Sequence, residues 1–268
     1  MDKIFHAAGS RGTANHGWLN ANFSFSFANY FDPNKTNFGL LRVLNDDYVK
    51  SGMGFGTHPH KDMEIISIPL QGAIRHKDSM EHTAIIEKGE VQVMSAGTGV
   101  EHSEFNSSTE ELNMLQIWIF PDRNGHEPRY DQKNYSKQLD AGEMVTVVAP
   151  MGHDDENALK IYQNAFLSIQ KTEAGRNIEY NLNNKANGVY IFMIEGDSEI
   201  DDLKLSLEQS LDRLSVDSLN ILFLHNPRED LNNHEEVLEF MTQLKKDRVI
   251  NYKGISLAKN YDYNCDFL

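Results

Sequence analysis

Two short segments of the sequence place potential metal ligands two residues apart. The first, HPH, contains His58 and His60, and the second, HSE, contains His102 and Glu104. Both segments lie in stretches that read as β-strand, and residues two apart on a strand project to the same face of the sheet. Each pair can therefore aim both of its side chains at one point. Three imidazoles and a carboxylate form a nitrogen and oxygen set that suits Fe(II), Mn, Ni, Cu or Zn.

The composition limits the other kinds of binding. The single cysteine, Cys265, excludes thiolate-bound zinc and iron–sulfur clusters, and it has no internal partner for a disulfide. Lys and Arg number 25 against 40 Asp and Glu, and the resulting net charge of −15 argues against direct binding of nucleic acid. The mean hydropathy is −0.53, and we find neither a membrane span nor the apolar core of a secretory signal. A soluble, cytoplasmic protein is expected.

Short β-strands are the elements expected to hold the two pairs. Apolar and small polar residues alternate over 23–27, and short β-branched runs follow at 65–68, 84–86, 91–94, 115–119 and 145–148. Similar runs recur at 166–169, 177–182 and 188–196. This rhythm predicts an all-β chain with two consecutive barrel or sandwich units.

The pattern changes after Lys204. Leucines recur at helical spacing over 207–214 before an apolar run at 219–224, and a further helix and strand are predicted for 234–248 and 252–257. The sequence therefore predicts three parts. These are an N-terminal metal-binding domain over 1–130, a second and incomplete β domain over 131–204, and a short αβαβ tail over 205–268.

Four motifs carry a family resemblance. GWLNANFSFSFANYFDP, FGLLRVLNDDYV, GFGTHPHKDMEIISIPLQGAIRHKDS and GEVQVMSAGTGVEHSEFN resemble the pirin family of the cupin superfamily. The likeness runs from about residue 11 to 128 and continues more weakly to about 204. It implies a bicupin, in which two β-barrel domains face each other and only the N-terminal one binds metal. By position in the motifs, the implied ligands are His58, His60, His102 and Glu104.

The resemblance also bears on which carboxylate binds the metal. Many cupins take this ligand shortly after the first histidine pair, where the present chain has Glu64. Pirins use the glutamate of the second motif, so the resemblance assigns Glu104 to the metal and Glu64 to a supporting or structural position. The second barrel lacks paired histidines at equivalent places and is expected to bind no metal.

The function implied by the resemblance is that of a metal-dependent dioxygenase. The pirin family includes enzymes that open the flavonol quercetin at its 2,3 bond, which implies a small aromatic substrate and Fe(II), with Cu, Mn, Ni or Zn as alternatives. Glu104 would be both a ligand and the base that accepts the hydroxyl proton. The alternative is a non-catalytic, metal-containing regulatory protein that binds a transcription factor or a metabolic enzyme. In a third interpretation the metal only stabilises the barrel.

The tail shows an unrelated resemblance. SLEQSLDRLSVDSLNILFLHNP and VINYKGISLAK, within about 205–259, are similar to a fragment of an aldo-keto reductase barrel. His225 falls where that family has its catalytic histidine. The segments that would carry the family's other catalytic residues and its nicotinamide nucleotide do not follow, and a fragment of an eight-stranded barrel cannot close. We expect no reductase activity and an inert His225.

The remaining histidines are not expected to bind metal. His76 and His82 lie in the polar stretch RHKDSMEH, which is typical of a solvated turn. Five other histidines lack the partner pattern of the HPH and HSE pairs, and they are His6, His16, His126, His153 and His234. Two of them, His16 and His126, could line a cavity mouth.

Overall fold

A computed structural model describes residue 4, residues 6–171, 180, 183 and 188–195, and the backbone of two strands over 219–225 and 250–256. By its internal contacts the chain divides into two units. One spans Arg11–Ile191, and the other combines Met1–Ser10, which includes a 3-10 turn at Ala8–Ser10, with Phe192–Leu268. Among the described residues, no helix has the length and apolar character needed to cross a bilayer.

Two antiparallel sheets form most of the first unit. Their strands are β1 (Gly12–Asn15), β2 (Leu19–Phe23), β3 (Leu41–Val49), β4 (Gly54–His60), β5 (Glu64–Gln71), β6 (Ala73–Asp78), β7 (Thr83–Glu87), β8 (Glu90–Ser95), β9 (Val100–Asn106), β10 (Leu112–Ile119) and β11 (Arg129–Asn134). One sheet has seven strands in the order β1-β2-β3-β10-β5-β8-β11, and the other has four in the order β4-β9-β6-β7.

Alternating burial along the strands of the four-stranded sheet shows which face is internal. β9 buries every second residue, including His102 and Glu104, and β6 buries Ile74, His76 and Asp78. This is the period of a strand with one face against the core. Because several of the buried residues are polar or charged, the interior cannot be purely apolar.

Two apolar clusters join the sheets. The larger consists of Leu19, Ala21, Phe23, Val49, Ile74, Ile86, Leu112 and Met114. The smaller consists of Ile65, Met94, Ala96 and Val100, with Trp118 packed against it. Removing these side chains from water is the main favourable contribution to the packing of one sheet on the other.

A row of buried polar side chains crosses the seven-stranded sheet. Cross-strand pairing places Asn45 beside Gln116, Gln116 beside Ser67, and Ser67 beside Gln92. All four residues are buried. A buried polar group is costly unless it is hydrogen-bonded. This row therefore indicates that the inner face of the sheet surrounds a polar site as well as the apolar core.

The chain after β11 forms a smaller sheet. A short helix, α1 (Ser136–Asp140), precedes β12 (Met144–Pro150), which lies between β13 (Leu159–Ile161) and β14 (Leu167–Gln170). In the second unit, β15 (Leu219–His225) and β16 (Ile250–Ser256) pair in parallel. The prediction of an all-β chain is thus confirmed for the described residues, whereas the helices predicted for the tail, over 207–214 and 234–248, lie outside them.

Two predicted strands are wrong. The alternation over 23–27 is not a strand, because β2 ends at Phe23 and Ser26 turns inward, where its Oγ accepts the backbone N–H of Asp32 at 2.9 Å. The apolar run at 188–195 forms no strand either, and Ile191 within it is 82% exposed. Residues 177–182, apart from residue 180, lie outside the described part of the chain.

Candidate metal centre

Three adjacent strands carry the candidate ligands. β9 lies between β4 and β6 in the four-stranded sheet. The register places His58 opposite His102 on one side of β9, and His76 opposite Glu104 on the other. Residues directly opposite each other in an antiparallel pair project to the same face. The HPH and HSE segments therefore meet on the inner face, and β6 adds a third histidine to them.

The three predicted histidine ligands come together. One nitrogen of each of His58, His60 and His102 lies within 4.8 Å of the other two. The ring centroids are 4.8 Å apart for His58 and His60, 4.5 Å for His58 and His102, and 4.9 Å for His60 and His102. His58 Nδ1 donates to the carbonyl oxygen of Gly56 at 2.7 Å. This bond leaves the lone pair of His58 on Nε2, available for a cation.

Glu104 is held from the opposite sheet. Its Oε1 accepts a hydrogen bond from Ser67 Oγ at 2.9 Å, and its Oε2 accepts one from Gln116 Nε2 at 2.8 Å. The carboxylate falls into a second group of potential ligands, in which one atom each of Glu104, His102 and His76 lie within 4.8 Å of one another. Glu104 and the HPH histidines thus belong to separate groups that share His102.

His76 was expected in a solvated turn, and this prediction is wrong. It is a fully buried residue of β6, where its Nε2 donates to Asp78 Oδ2 at 3.2 Å. The polar stretch RHKDSMEH concealed a strand of alternating burial, in which only every second residue faces solvent. The sequence did contain a signal, because His76 and Asp78 repeat the two-residue spacing of the HPH and HSE pairs.

The electrostatics favour neutral imidazoles at the centre. Burial, reinforced by the neighbouring imidazoles, lowers the pKa of His60 to about 4 and that of His102 to about 3. His60 Nε2 and both ring nitrogens of His102 are buried without a hydrogen-bond partner. Neutral rings with unshared nitrogen lone pairs are what a transition metal requires from histidine. The donor set therefore fits a metal ion of the nitrogen- and oxygen-binding kind.

Glu64 lies elsewhere on the seven-stranded sheet. Its carboxylate accepts a hydrogen bond from Ser95 Oγ at 2.7 Å, and burial raises its pKa. It is not a member of either group of potential ligands found among the described residues. This arrangement supports a structural position for Glu64.

Two further histidines have partners that the sequence did not reveal. His126 is buried, its Nε2 donates to Asp122 Oδ1 at 2.6 Å, and its ring stacks on Tyr162 with the centroids 3.8 Å apart. His153 Nδ1 accepts the N–H of Asp155 at 3.2 Å. Neither belongs to the groups of potential ligands, and His234 lies outside the described residues.

A pocket opens beside His60. It has a volume of about 500 Å³ and is lined by Pro59, His60, Lys61, Ser79, Gly99, Val100 and Glu101. Ligand pockets typically measure roughly 300–1,000 Å³. The pocket is a depression that is widely open to solvent, and His60 is the one proposed ligand among its lining residues.

A two-sheet barrel with histidines converging on its inner face defines a cupin-type domain. Residues 5–119 match the family model described as Pirin, and residues 146–226 match the one described as Quercetinase C-terminal cupin domain. The chain is 43% identical over 219 residues, which are 76% of this chain and 86% of the relative, to a protein of Escherichia coli O157:H7 named quercetin 2,3-dioxygenase. The chain belongs to the pirin family.

Further relatives agree with this assignment. A protein of Escherichia coli K12, also named quercetin 2,3-dioxygenase, is 51% identical over 161 residues, 58% of this chain and 66% of the relative. The crystal structure of the bacterial pirin YhhW from Escherichia coli in complex with nickel(II) has a TM-score of 0.56 and 47% identity, covering 60% of this chain and 68% of that one. The second family match ends beyond the boundary expected at 204, and neither family match is to an aldo-keto reductase.

Proposed function

We propose that this protein is a metal-dependent dioxygenase that acts on a flavonol-type aromatic substrate. His58, His60, His102 and Glu104 are the proposed metal ligands. The observation that carries the proposal is the convergence of His58, His60 and His102, with buried nitrogens that lack partners, beside a pocket of about 500 Å³. The names of the pirin relatives support the choice of substrate.

A divalent ion held by these residues would supply Lewis acidity, which lowers the pKa of a bound substrate hydroxyl. The protein's own residues would orient the metal ligands and receive the substrate's proton. The bond to Gly56 fixes the orientation of the His58 ring, and the bonds from Ser67 and Gln116 fix the Glu104 carboxylate. Glu104 would accept the hydroxyl proton at a carboxylate oxygen. Trp118, whose ring centroid is 5.0 Å from that of His60, adds an apolar wall.

Fe(II) is the metal we propose, with Cu, Mn, Ni and Zn as alternatives. Nitrogen and oxygen ligands accept all of these ions, and the affinity order alone does not select among them. The nickel(II) complex of YhhW shows that this relative can hold a different divalent ion. Metal analysis of the purified protein identifies the ion, and activity after reconstitution with each ion identifies the one that functions.

The first experiment compares the wild-type protein with H58A and E104A. We expect near-stoichiometric metal in the wild type, little metal in either variant, and oxygen uptake with quercetin by the iron-loaded wild type. Bound metal without uptake of oxygen with any flavonol would reject the dioxygenase and favour the regulatory alternative. Absence of metal from the wild type after reconstitution would reject the centre itself.

A further inference from the structure

His76 has a buried nitrogen that the centre proposed above does not use. Its side chain is fully buried, and its Nδ1 has no hydrogen-bond partner. Leaving a buried polar atom unpaired costs roughly 1–3 kcal/mol, so such an atom usually has a hydrogen-bond partner or a bound ion in the functional protein. The surroundings of His76 Nδ1 indicate which kind of partner it has.

Asp78 determines which nitrogen of His76 carries the proton. The Asp78 carboxylate accepts hydrogen bonds from His76 Nε2 at 3.2 Å, from His82 Nδ1 at 3.0 Å, and from the backbone N–H groups of Met80 and His82 at 2.9 and 3.0 Å. An ionised carboxylate only accepts, so His76 donates through Nε2 and keeps its lone pair on Nδ1.

A carboxylate behind a histidine is the usual arrangement at a metal-binding histidine. It fixes the tautomer, orients the ring and makes the free nitrogen more basic. Tyr130 also restrains the ring, because it packs against both His76 and His82 with centroid distances of 4.9 and 4.8 Å. The Nδ1 lone pair of His76 is thus presented in one fixed orientation.

The other two members of the group are equally suited to a cation. His102 and Glu104 are buried, and one potential ligand atom of each lies within 4.8 Å of that of His76. Two ligands on opposite sides of one ion stand about 4.2 Å apart, which is twice a metal–nitrogen bond of ~2.1 Å. Three ligands cannot all lie opposite one another, and neighbouring ligands on one ion stand about 3 Å apart, so the three atoms must approach one another by less than about 2 Å to bind one ion. Two histidines and a carboxylate with open positions form a ligand set that binds Fe(II) in oxygenases.

We propose that His76, His102 and Glu104 form an inner position for a divalent transition-metal ion. The proposal rests on the metal centre proposed above, with which the inner position shares His102 and Glu104. One ion therefore occupies either the outer position, completed by His58 and His60, or the inner position, completed by His76. His58 and His60 are half-buried, whereas all three inner residues are buried, so the inner position is the more shielded of the two.

The test removes the outer position and asks whether a metal site remains. Co(II) is titrated into the full-length H58A/H60A variant against a competing chelator, and the visible absorption of bound Co(II) is recorded. We expect close to one ion per chain, with an affinity about 10–1,000-fold below that of the wild type. Adding H76Q should abolish this binding. Adding H82Q instead is the matched control, since His82 shares the Asp78 partner, and it should change the affinity by less than about threefold.

Two outcomes would overturn the inner position. One is a folded H58A/H60A variant that binds no Co(II), and the other is equal binding with and without H76Q. If H76Q fails to fold, Cu(II) electron paramagnetic resonance of the H58A/H60A variant decides, because the inner position predicts coupling to two nitrogens and its absence predicts at most one. Oxygen uptake by the wild type is measured separately, so failure of the proposed dioxygenase leaves these metal-binding results intact.

Discussion

Glu104 is anchored by side chains of the facing sheet. Ser67 Oγ can also donate to Gln116 Oε1 at 2.8 Å, so Ser67, Gln116 and Glu104 form one buried hydrogen-bonded set. Such residues hold a ligand in the orientation in which it binds, without touching the ion themselves. The position of the carboxylate therefore depends on Gln116, which lies outside the family motifs, as well as on Ser67, which lies within the motif around HPH.

Replacing Gln116 tests this dependence. Q116M keeps the approximate volume but removes the donor to Glu104, and we expect metal affinity to fall about 10–100-fold, as is usual when a residue behind a ligand is lost. Chelator competition measures the affinity. The matched control is Q92M in the same buried row, because neither polar atom of the Gln92 amide has a partner. Equal losses in Q116M and Q92M would contradict the anchoring role.

Asp47 is a buried carboxylic acid of strand β3. It is 4% exposed and its Oδ1 has no hydrogen-bond partner. Burial, followed by the charges of Asp46 and Glu104, raises its pKa from 3.8 to about 7. The folded protein therefore holds a proton on Asp47 in a pH range where the unfolded chain has released it.

The consequence is a loss of stability with rising pH. Between pH 4 and pH 7 the native state binds more protons than the unfolded state, so the contribution of Asp47 is fully present below about pH 4 and is lost as the pH rises through 7. We expect D47N to raise the free energy of unfolding at pH 8 by about 2–4 kcal/mol relative to wild type. Denaturant unfolding of metal-free protein at pH 5 and pH 8 measures it. A D47N effect that is independent of pH would contradict the raised pKa.

At the residue level, the sequence predicted the pairs but not their surroundings. His58, His60 and His102 could be proposed because spacing on a strand determines a common face. His76 was mistaken for a solvated residue because its neighbours Arg75 and Lys77 are charged. Its two-residue spacing from Asp78 was the signal that could have identified it. The roles of Ser67 and Gln116 depend on pairing between distant strands, which one sequence does not reveal.

Among the contacts between strands, the metal centre depends most directly on the pairing of β4 with β9. Gly54 of β4 lies opposite Phe105, and a Cβ at this position would collide with the backbone of Glu104 and Phe105. Glycine is therefore required for the close approach of these two strands. The same strand contains a second glycine, Gly56, around which a Cβ would meet nothing within 4 Å.

These two glycines form a matched pair for a test of the strand contact. We expect G54A to lower the free energy of unfolding by about 1–3 kcal/mol, because the strands must separate to admit the methyl group, and to weaken metal binding as well. G56A should be close to neutral in both respects. Thermal unfolding and chelator competition provide the two measurements. A G54A variant as stable as G56A would show that the contact is not tight.

Strand prediction succeeded where apolar runs were continuous and failed where polar residues were internal. The runs at 65–68, 115–119 and 145–148 fall within β5, β10 and β12. The strand β3 could not be recognised by its pattern, because it buries Asn45, Asp46 and Asp47 and so lacks the usual alternation. The alternation of Phe and Ser over 23–27 had the opposite effect, because it predicted a strand that does not form. Both kinds of residue are buried there.

For the whole molecule, the metal centre is expected to be independent of the C-terminal part of the chain. All of the proposed ligands, and the Ser67 and Gln116 side chains that support them, lie within the unit spanning Arg11–Ile191. A chain that ends at Lys204 should therefore bind one metal ion with an affinity within about threefold of that of the full chain. Elemental analysis and chelator competition test this, with E104A in the shortened chain as the control.

A large loss of metal binding in the shortened chain, with the barrel still folded, would show that the tail supports the centre. The change of character after 204 stays a prediction, because it was made from leucines at helical spacing over 207–214, which lie outside the described residues.

The spread of the centre along the chain has a kinetic consequence. His58 pairs with His102, and the supporting sheet pairs Asn45 with Gln116, so each contact closes a long loop of chain. Contacts between distant segments form late, because the entropy of loop closure must be overcome before they become favourable. A metal ion would find its ligands assembled only after most of the barrel had formed. It would therefore slow unfolding and prolong the lifetime of the folded barrel without hastening its formation.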